Sequence, residues 1–374
     1  MTMPPQGGWQ PDRPGQSTYG RGPSGSQGQP PPGFPGGQWP QPIPPSKGGG
    51  SIKWLLVGIA ILLVVCISVG VTLLVTRDSD GGGTSSTDAA PSDVASAGDA
   101  GPVSIITEEP TCKTLNTINQ GLSKIQSQGW GAMRATLGPA ATWTPDERIQ
   151  IQAVADAMRR AADQAVPLAK QTPHRVIREI YEQFIAYGRA YADSVSDYQP
   201  SDNGLASVNV NASSALVGVC NTIEYGSAGR SLSVPEESSP KQLSPVGDPG
   251  NPSRFIQSAS AACTNWISRL DTFNASTSDW QSRDGAVPAS EWTPERRAIE
   301  ENAAPLLVQF ADASSDAGRS SGNAVLEDLS VMASVYVKAY VSALSSYTDA
   351  DSWLVYTGFR IANLISGACV SISE

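Results

Sequence analysis

The chain has 374 residues, with 25 Lys and Arg against 35 Asp and Glu, and a formal net charge of −10. That balance argues against nucleic acid, whose phosphates must be neutralised by Lys and Arg, and against docking on anionic lipid through charge. One His and five Cys leave little material for histidine-based catalysis or for a zinc centre.

Residues 1–50 hold 13 Pro and 13 Gly, with many Gln and Ser. Such a composition cannot bury enough apolar surface to offset chain entropy. A disordered tail is therefore expected over residues 1–52. Pro32-Gly33-Phe34-Pro35 and Pro42-Ile43-Pro44-Pro45 favour polyproline II. Trp9, Tyr19, Phe34 and Trp39 are spaced among the prolines, a pattern suited to docking a partner through aromatic and proline contacts.

Trp54 to Thr76 follows, 23 residues without a charge, between Lys53 and Arg77. A helix rises about 1.5 Å per residue and a bilayer core is roughly 30 Å thick. The run predicts a transmembrane helix over 53–77, with Cys66 as a small apolar filler inside it. A cleaved signal peptide fits poorly, because a long polar tail precedes the run and no small-residue cleavage site follows it. Arg13, Arg21, Lys47 and Lys53 flank the N-terminal side, and Asp78, Asp80, Asp88 and Asp93 follow the span. Positive flanks stay in the cytoplasm. The expected topology is a single-pass plasma-membrane protein with a cytoplasmic N-terminus and an extracytoplasmic C-terminal domain. Residues 78–107, rich in Gly, Ser, Thr and Asp, read as a flexible stalk.

Beyond the stalk the sequence repeats. Trp143-Thr144-Pro145-Asp146-Glu147-Arg148 matches Trp292-Thr293-Pro294-Glu295-Arg296-Arg297, 149 residues later. The same offset carries Tyr187, Tyr191 and Tyr198 onto Tyr336, Tyr340 and Tyr347, and Gly218 and Cys220 onto Gly367 and Cys369. Trp130 and Cys112 meet Trp280 and Cys263 at nearly that offset. Two copies of one unit are expected, at 108–226 and 254–374, joined by a Pro-, Ser- and Gly-rich linker at 227–253.

Each copy reads as four helices. Cys112, Leu115, Ile118, Leu122 and Ile125 make the first apolar stripe. Thr144, Pro145 and Glu147 form a capping box for the second helix. Thr172 and Pro173 start the third, whose stripe runs through Ile177, Ile180, Phe184, Tyr187 and Tyr191. Asp202 and Asp351 are expected to cap the fourth helices. The fold class is all-α: disordered tail, one transmembrane helix, then two antiparallel four-helix bundles.

Outside the cytoplasm disulfides persist. Four cysteines allow three connectivities, and the repeat selects one. The start of helix one and the end of helix four share one end of an up-down-up-down bundle. That geometry predicts Cys112–Cys220 and Cys263–Cys369, each confined to its own copy. Loss of one bridge is then expected to unfold one copy alone.

Little chemistry is legible. No P-loop, CxxC or HExxH pattern occurs, so no catalytic residue, cofactor or metal site is expected. His174 reads as an exposed first-turn residue. Glu300 with Glu301, and Asp349 with Asp351, read as solvated faces or caps. Arg159, Arg160, Arg175 and Arg178 read as surface charge. Asn211 and Asn274 begin Asn-Ala-Ser acceptor patterns. Tyr187 and Tyr191 share a helix face at i and i+4, and Tyr336 and Tyr340 repeat them. They read as core with hydroxyls at the bundle edge, or alternatively as the aromatic wall of a ligand or partner groove.

The Pro/Gly/Gln tail, the Lys53–Arg77 span, the Ser/Thr/Gly stalk and the Ala-, Asp- and Ser-rich ectodomain together resemble the proline-rich single-pass membrane proteins of mycobacteria and related actinobacteria. The resemblance implies a cell-envelope setting and carries over no catalytic residues. The expected function is a non-enzymatic interaction module, with protein partners in the envelope and at the tail. The alternative is a receptor or carrier for a small apolar or lipid-like ligand.

Overall fold

The computed structural model describes residues 93–231, 234 and 237–372. The expected tail, the expected span and the first half of the stalk, 78–92, lie outside the described residues. Among those described, no helix is long and apolar enough to cross a membrane. Their regular structure is helical throughout, without a strand.

In the first copy, α1 spans Cys112–Gln126 and a short α2 spans Trp130–Arg134. The long α3 spans Pro145–Gln171, α4 Arg175–Ser194 and α5 Asn203–Glu224. A short α6, Ser227–Arg230, follows. The second copy repeats the order. Its α7 is Ala261–Ser276, α8 Ser278–Gln281, α9 Pro294–Ser320, α10 Ala324–Ala343 and α11 Ser352–Val370.

Local chemistry sets these boundaries. Thr144 accepts from the Glu147 backbone while Glu147 reaches back to the Thr144 backbone, so the expected capping box starts α3. Thr293 keeps half of it: its side chain accepts from the Arg296 backbone, and arginine at that position cannot return the bond. The third helices start later than the sequence suggests. Thr172 ends α3, and α4 begins at Arg175. In the second copy Asn323 caps α10 with its side chain. The fourth-helix caps also differ from expectation. Asp202 accepts from the Gln199 backbone and Asp351 from the Thr348 backbone. Each closes the tight 3-10 turn before its helix rather than the helix itself.

Within the first copy α3 packs on α4 and α4 on α5, while α1 closes the ring against α3 and α5. The second copy does the same with α9, α10, α11 and α7. The Cys112–Cys220 and Cys263–Cys369 disulfides tie the first helix of each ring to its last, with Cα atoms 5.5 and 5.2 Å apart.

The two rings are not separate bodies, contrary to the expectation of one bundle on each side of a linker. α5 and α11 lie antiparallel against one another and form the most extensive helix pair described. A Cβ added at Gly218 would meet Tyr356 and Thr357, and one added at Gly367 would meet Ser207 and Val208. Gly218 and Gly367 are repeat equivalents, and so are their contacts. The copies are therefore related by a pseudo-twofold axis through this crossing. Glycine recurs in both because the backbones approach too closely for a side chain. One continuous apolar core runs from Val103 to Cys369, and the described residues fall in one compact unit.

The linker is part of that unit. Lys241 and Gln242 bond to the end of α9 and the turn after it, Glu237 pairs with Lys338, and the Gly250 carbonyl accepts from Arg189.

Candidate functional site

The third helices carry most of the buried charged residues described: Arg175, Arg178 and Glu179 in α4, and Glu327 and Asp328 in α10. Tyr187, Tyr191, Tyr336 and Tyr340 are each at most 1% exposed. In this conformation they present no face to a partner, and their hydroxyls point inward rather than to a bundle edge.

Their bonds divide them into two roles. Tyr191 accepts from the Trp130 indole at 3.1 Å, and Tyr340 lies 3.4 Å from the Trp280 indole nitrogen. Each pair pins a short helix to its ring. Tyr198 and Tyr347 stack edge-on against Tyr191 and Tyr340 and tilt against Trp143 and Trp292. The second pair of tyrosines reaches across the axis. Tyr336 of the second copy accepts from the Ile106 backbone at 3.3 Å, in the segment leading into the first copy. Tyr187 of the first copy donates to the Ile256 carbonyl at 3.4 Å, in the segment leading into the second. Each copy thus holds the other's lead-in. Burial pushes the Tyr187 hydroxyl up to about 12, against the opposing pull of the Arg254 guanidinium, so it stays a neutral donor.

A charged cluster lies beside these tyrosines where α4 meets α10. Arg175 and Arg178, expected on the surface, are 2% and 1% exposed. Arg175 forms a bidentate pair with Asp328 of α10 at 2.7 and 3.0 Å, and also donates to the Asp99 and Gly101 carbonyls. It ties the lead-in segment, the first copy and the second copy together through one guanidinium. Arg178 pairs with Glu182 at 3.1 Å. Glu179 is fully buried, and neither carboxyl oxygen has a hydrogen bond. Its closest opposite charge is Arg178 at 4.0 Å. Burial holds the Glu179 carboxyl well above the usual carboxylate range, and the Asp328 charge adds to the shift. The sequence does carry a trace of this cluster, because Glu179 and Asp328 are repeat equivalents: an acid recurs at one place in the two third helices.

A second buried charge group belongs to the second copy alone. Glu300, expected on a solvated face, is 1% exposed. It accepts from Arg283 at 2.7 Å, Arg296 at 2.9 Å, the Trp280 indole at 2.8 Å and the Tyr340 hydroxyl at 2.7 Å. Its repeat equivalent is the buried Ile151, so no shared motif announces it. Asp351 is also buried and pairs with Arg230 at 2.6 Å. Arg159 and Arg160 are exposed, as expected.

The remaining candidates are quiet. The His174 ring lies 2.8 Å from the Glu108 carbonyl and is half-buried. Asn211 is 8% exposed inside α5, where its amide donates to the Ser207 carbonyl, so its acceptor pattern is closed off in the fold. No metal-ligating group of side chains converges among the described residues. A groove of about 490 Å³ opens between Gln242–Pro245 and Gly322–Val325, away from the tyrosines and without a charged side chain in its lining.

Residues 94–373 match the family of mycobacterial ESX-1 associated proteins. An uncharacterised protein of Mycolicibacterium smegmatis (strain MKD8) is 40% identical over 343 residues, covering 90% of each chain. No solved structure matches the chain. The family match takes in both copies, the crossing between them and all four bridged cysteines, and the chain belongs to the mycobacterial ESX-1 associated protein family.

Proposed function

We propose that this chain is a non-enzymatic, membrane-anchored envelope protein whose duplicated helical body serves as an interaction module for the ESX-1 system. The family match across 94–373 is the observation that carries the reading. The interior supports it. The buried Arg, Glu, Asp, Tyr and Trp groups are engaged mainly with one another, linking copy to copy and short helices to long ones. They act as scaffold polarity, which fixes one arrangement of a core. The charge-free run at Trp54–Thr76 supplies the anchor in this reading, with the acidic body outside the cytoplasm and the Pro/Gly tail inside.

The carrier alternative receives less support. The four third-helix tyrosines are packed and hydrogen-bonded rather than lining an enclosed apolar cavity, which is the form small-molecule sites take. Crosslinking in intact mycobacterial cells, with identification of the captured proteins, tests the proposal. Recovery of ESX-1 components with the full chain is the expected result. A capture profile unchanged by inactivation of the ESX-1 system would refute it. A reporter active only outside the cytoplasm tests the anchor: it should work when fused after residue 80 and fail when fused before residue 50.

A further inference from the structure

We propose that Glu179 is a proton-dependent latch: the junction between the two copies is closed while Glu179 carries its proton and loosens when it ionises. The argument starts from the pairing of charges. Arg175 is committed to Asp328 through two bonds, with Asp99 3.7 Å away. Arg178 pairs with Glu182 through Nη1, while its buried Nε and Nη2 have no hydrogen bond and Nη2 lies 4.0 Å from Glu179. Those are the charged groups facing Glu179 from its own helix, from α10 and from the lead-in segment. Each guanidinium has a nearer carboxylate than Glu179, which is fully buried with both oxygens unbonded.

The pseudo-twofold explains why. Arg175 of the first copy reaches Asp328 of the second. The reciprocal pair would join residue 324 of the second copy to Glu179 of the first. Residue 324 is alanine. The junction therefore holds two equivalent acids and one of the two arginines that symmetry calls for. An ionised carboxylate in that position lacks a hydrogen bond and shares its nearest counter-charge, Arg178 at 4.0 Å, with Glu182, which is costly in a dry interior. A neutral carboxyl avoids most of that cost.

The sign follows from linkage. Glu179 in the folded chain titrates above an unfolded glutamate, whose value is about 4.3, because burial disfavours its charge. The folded state then binds more protons than the unfolded state between the two values. The stability that the neutral acid provides is complete below the unfolded value and is lost as pH rises through the folded one. Each pH unit in that window changes the folding equilibrium by up to about tenfold.

Melting of the full chain from about pH 5 to about pH 9 provides the test, comparing wild type with Glu179→Gln and Ala324→Arg. Glu179→Gln imitates the neutral acid at every pH. Wild type is expected to lose stability relative to Glu179→Gln as pH rises, by up to about tenfold per unit. Ala324→Arg, which supplies the missing counter-charge, is expected to shrink that loss. Parallel pH profiles for wild type and Glu179→Gln would overturn the proposal. So would a Glu179→Gln chain that fails to fold at any pH, because the junction would then require the charge.

Discussion

Gly218→Ala adds one methyl group at the crossing of α5 and α11. The new Cβ would lie 3.2 Å from Tyr356 Cδ1 and 3.3 Å from Thr357 Cα, and it would fall on Thr357 Oγ1 well inside contact distance. Thr357 is fully buried and its hydroxyl donates to the Trp353 carbonyl at 2.8 Å. It cannot swing away without breaking that bond. Overpacking of this kind costs about 1–3 kcal/mol, while replacing glycine by alanine inside a helix returns about 1 kcal/mol. The net is a loss of up to about 2 kcal/mol. Gly121→Ala is the matched control. Gly121 is exposed within α1, and a Cβ there meets nothing within 4 Å. It should gain about 1 kcal/mol from propensity alone. Thermal melts of the two variants and wild type should diverge in opposite directions, by about 2–4 °C per kcal/mol for a body of this size. Equal stabilisation by both substitutions would refute the close crossing.

Three further outcomes are expected. Cys220→Ser removes a bridge spanning 108 residues, for which chain entropy suggests a loss of up to about 5 kcal/mol. Because α5 also forms the crossing, both copies should weaken together, in place of the single-copy unfolding that the sequence suggests. Denaturant melts followed by one probe in each copy would show two separate midpoints if that is wrong. Glu300→Ala removes the carboxylate shared by Arg283 and Arg296 and should cost about 3–5 kcal/mol, as broken buried pairs do; a change below about 1 kcal/mol would place that group in solvent. Tyr187→Phe and Tyr336→Phe each delete one bond to the opposite copy's lead-in. A loss of about 1 kcal/mol apiece is expected by denaturant unfolding, and no loss from either would remove the lead-in contacts from the account.

The repeat was the most legible feature. Rare residues at one offset exposed the duplication, its helix order and the cysteine pairing, because tryptophan, cysteine and paired glycines are seldom kept in order without a packing reason. The relation between copies was not legible. It depends on Gly218 and Gly367 meeting another helix at close range, and nothing local tells a glycine at a crossing from one on an open surface such as Gly121. Arg175 and Arg178 were misplaced for a similar reason: arginine on a helix is usually solvated, and its burial here depends on Asp328, 153 residues from Arg175. Glu300 was hidden because Ile151 occupies its place in the first copy. Tyr187 and Tyr336 stand out in the sequence, but their task does not, since the segments they hold lie across the axis rather than beside them.

Hydrogen exchange on the full chain tests most directly whether the two copies form one body. Amides of α5 and α11 should exchange with the same opening free energy and the same response to denaturant, as members of one cooperative unit. Opening of residues 108–226 while 254–372 stay protected, or the reverse, would contradict the shared core.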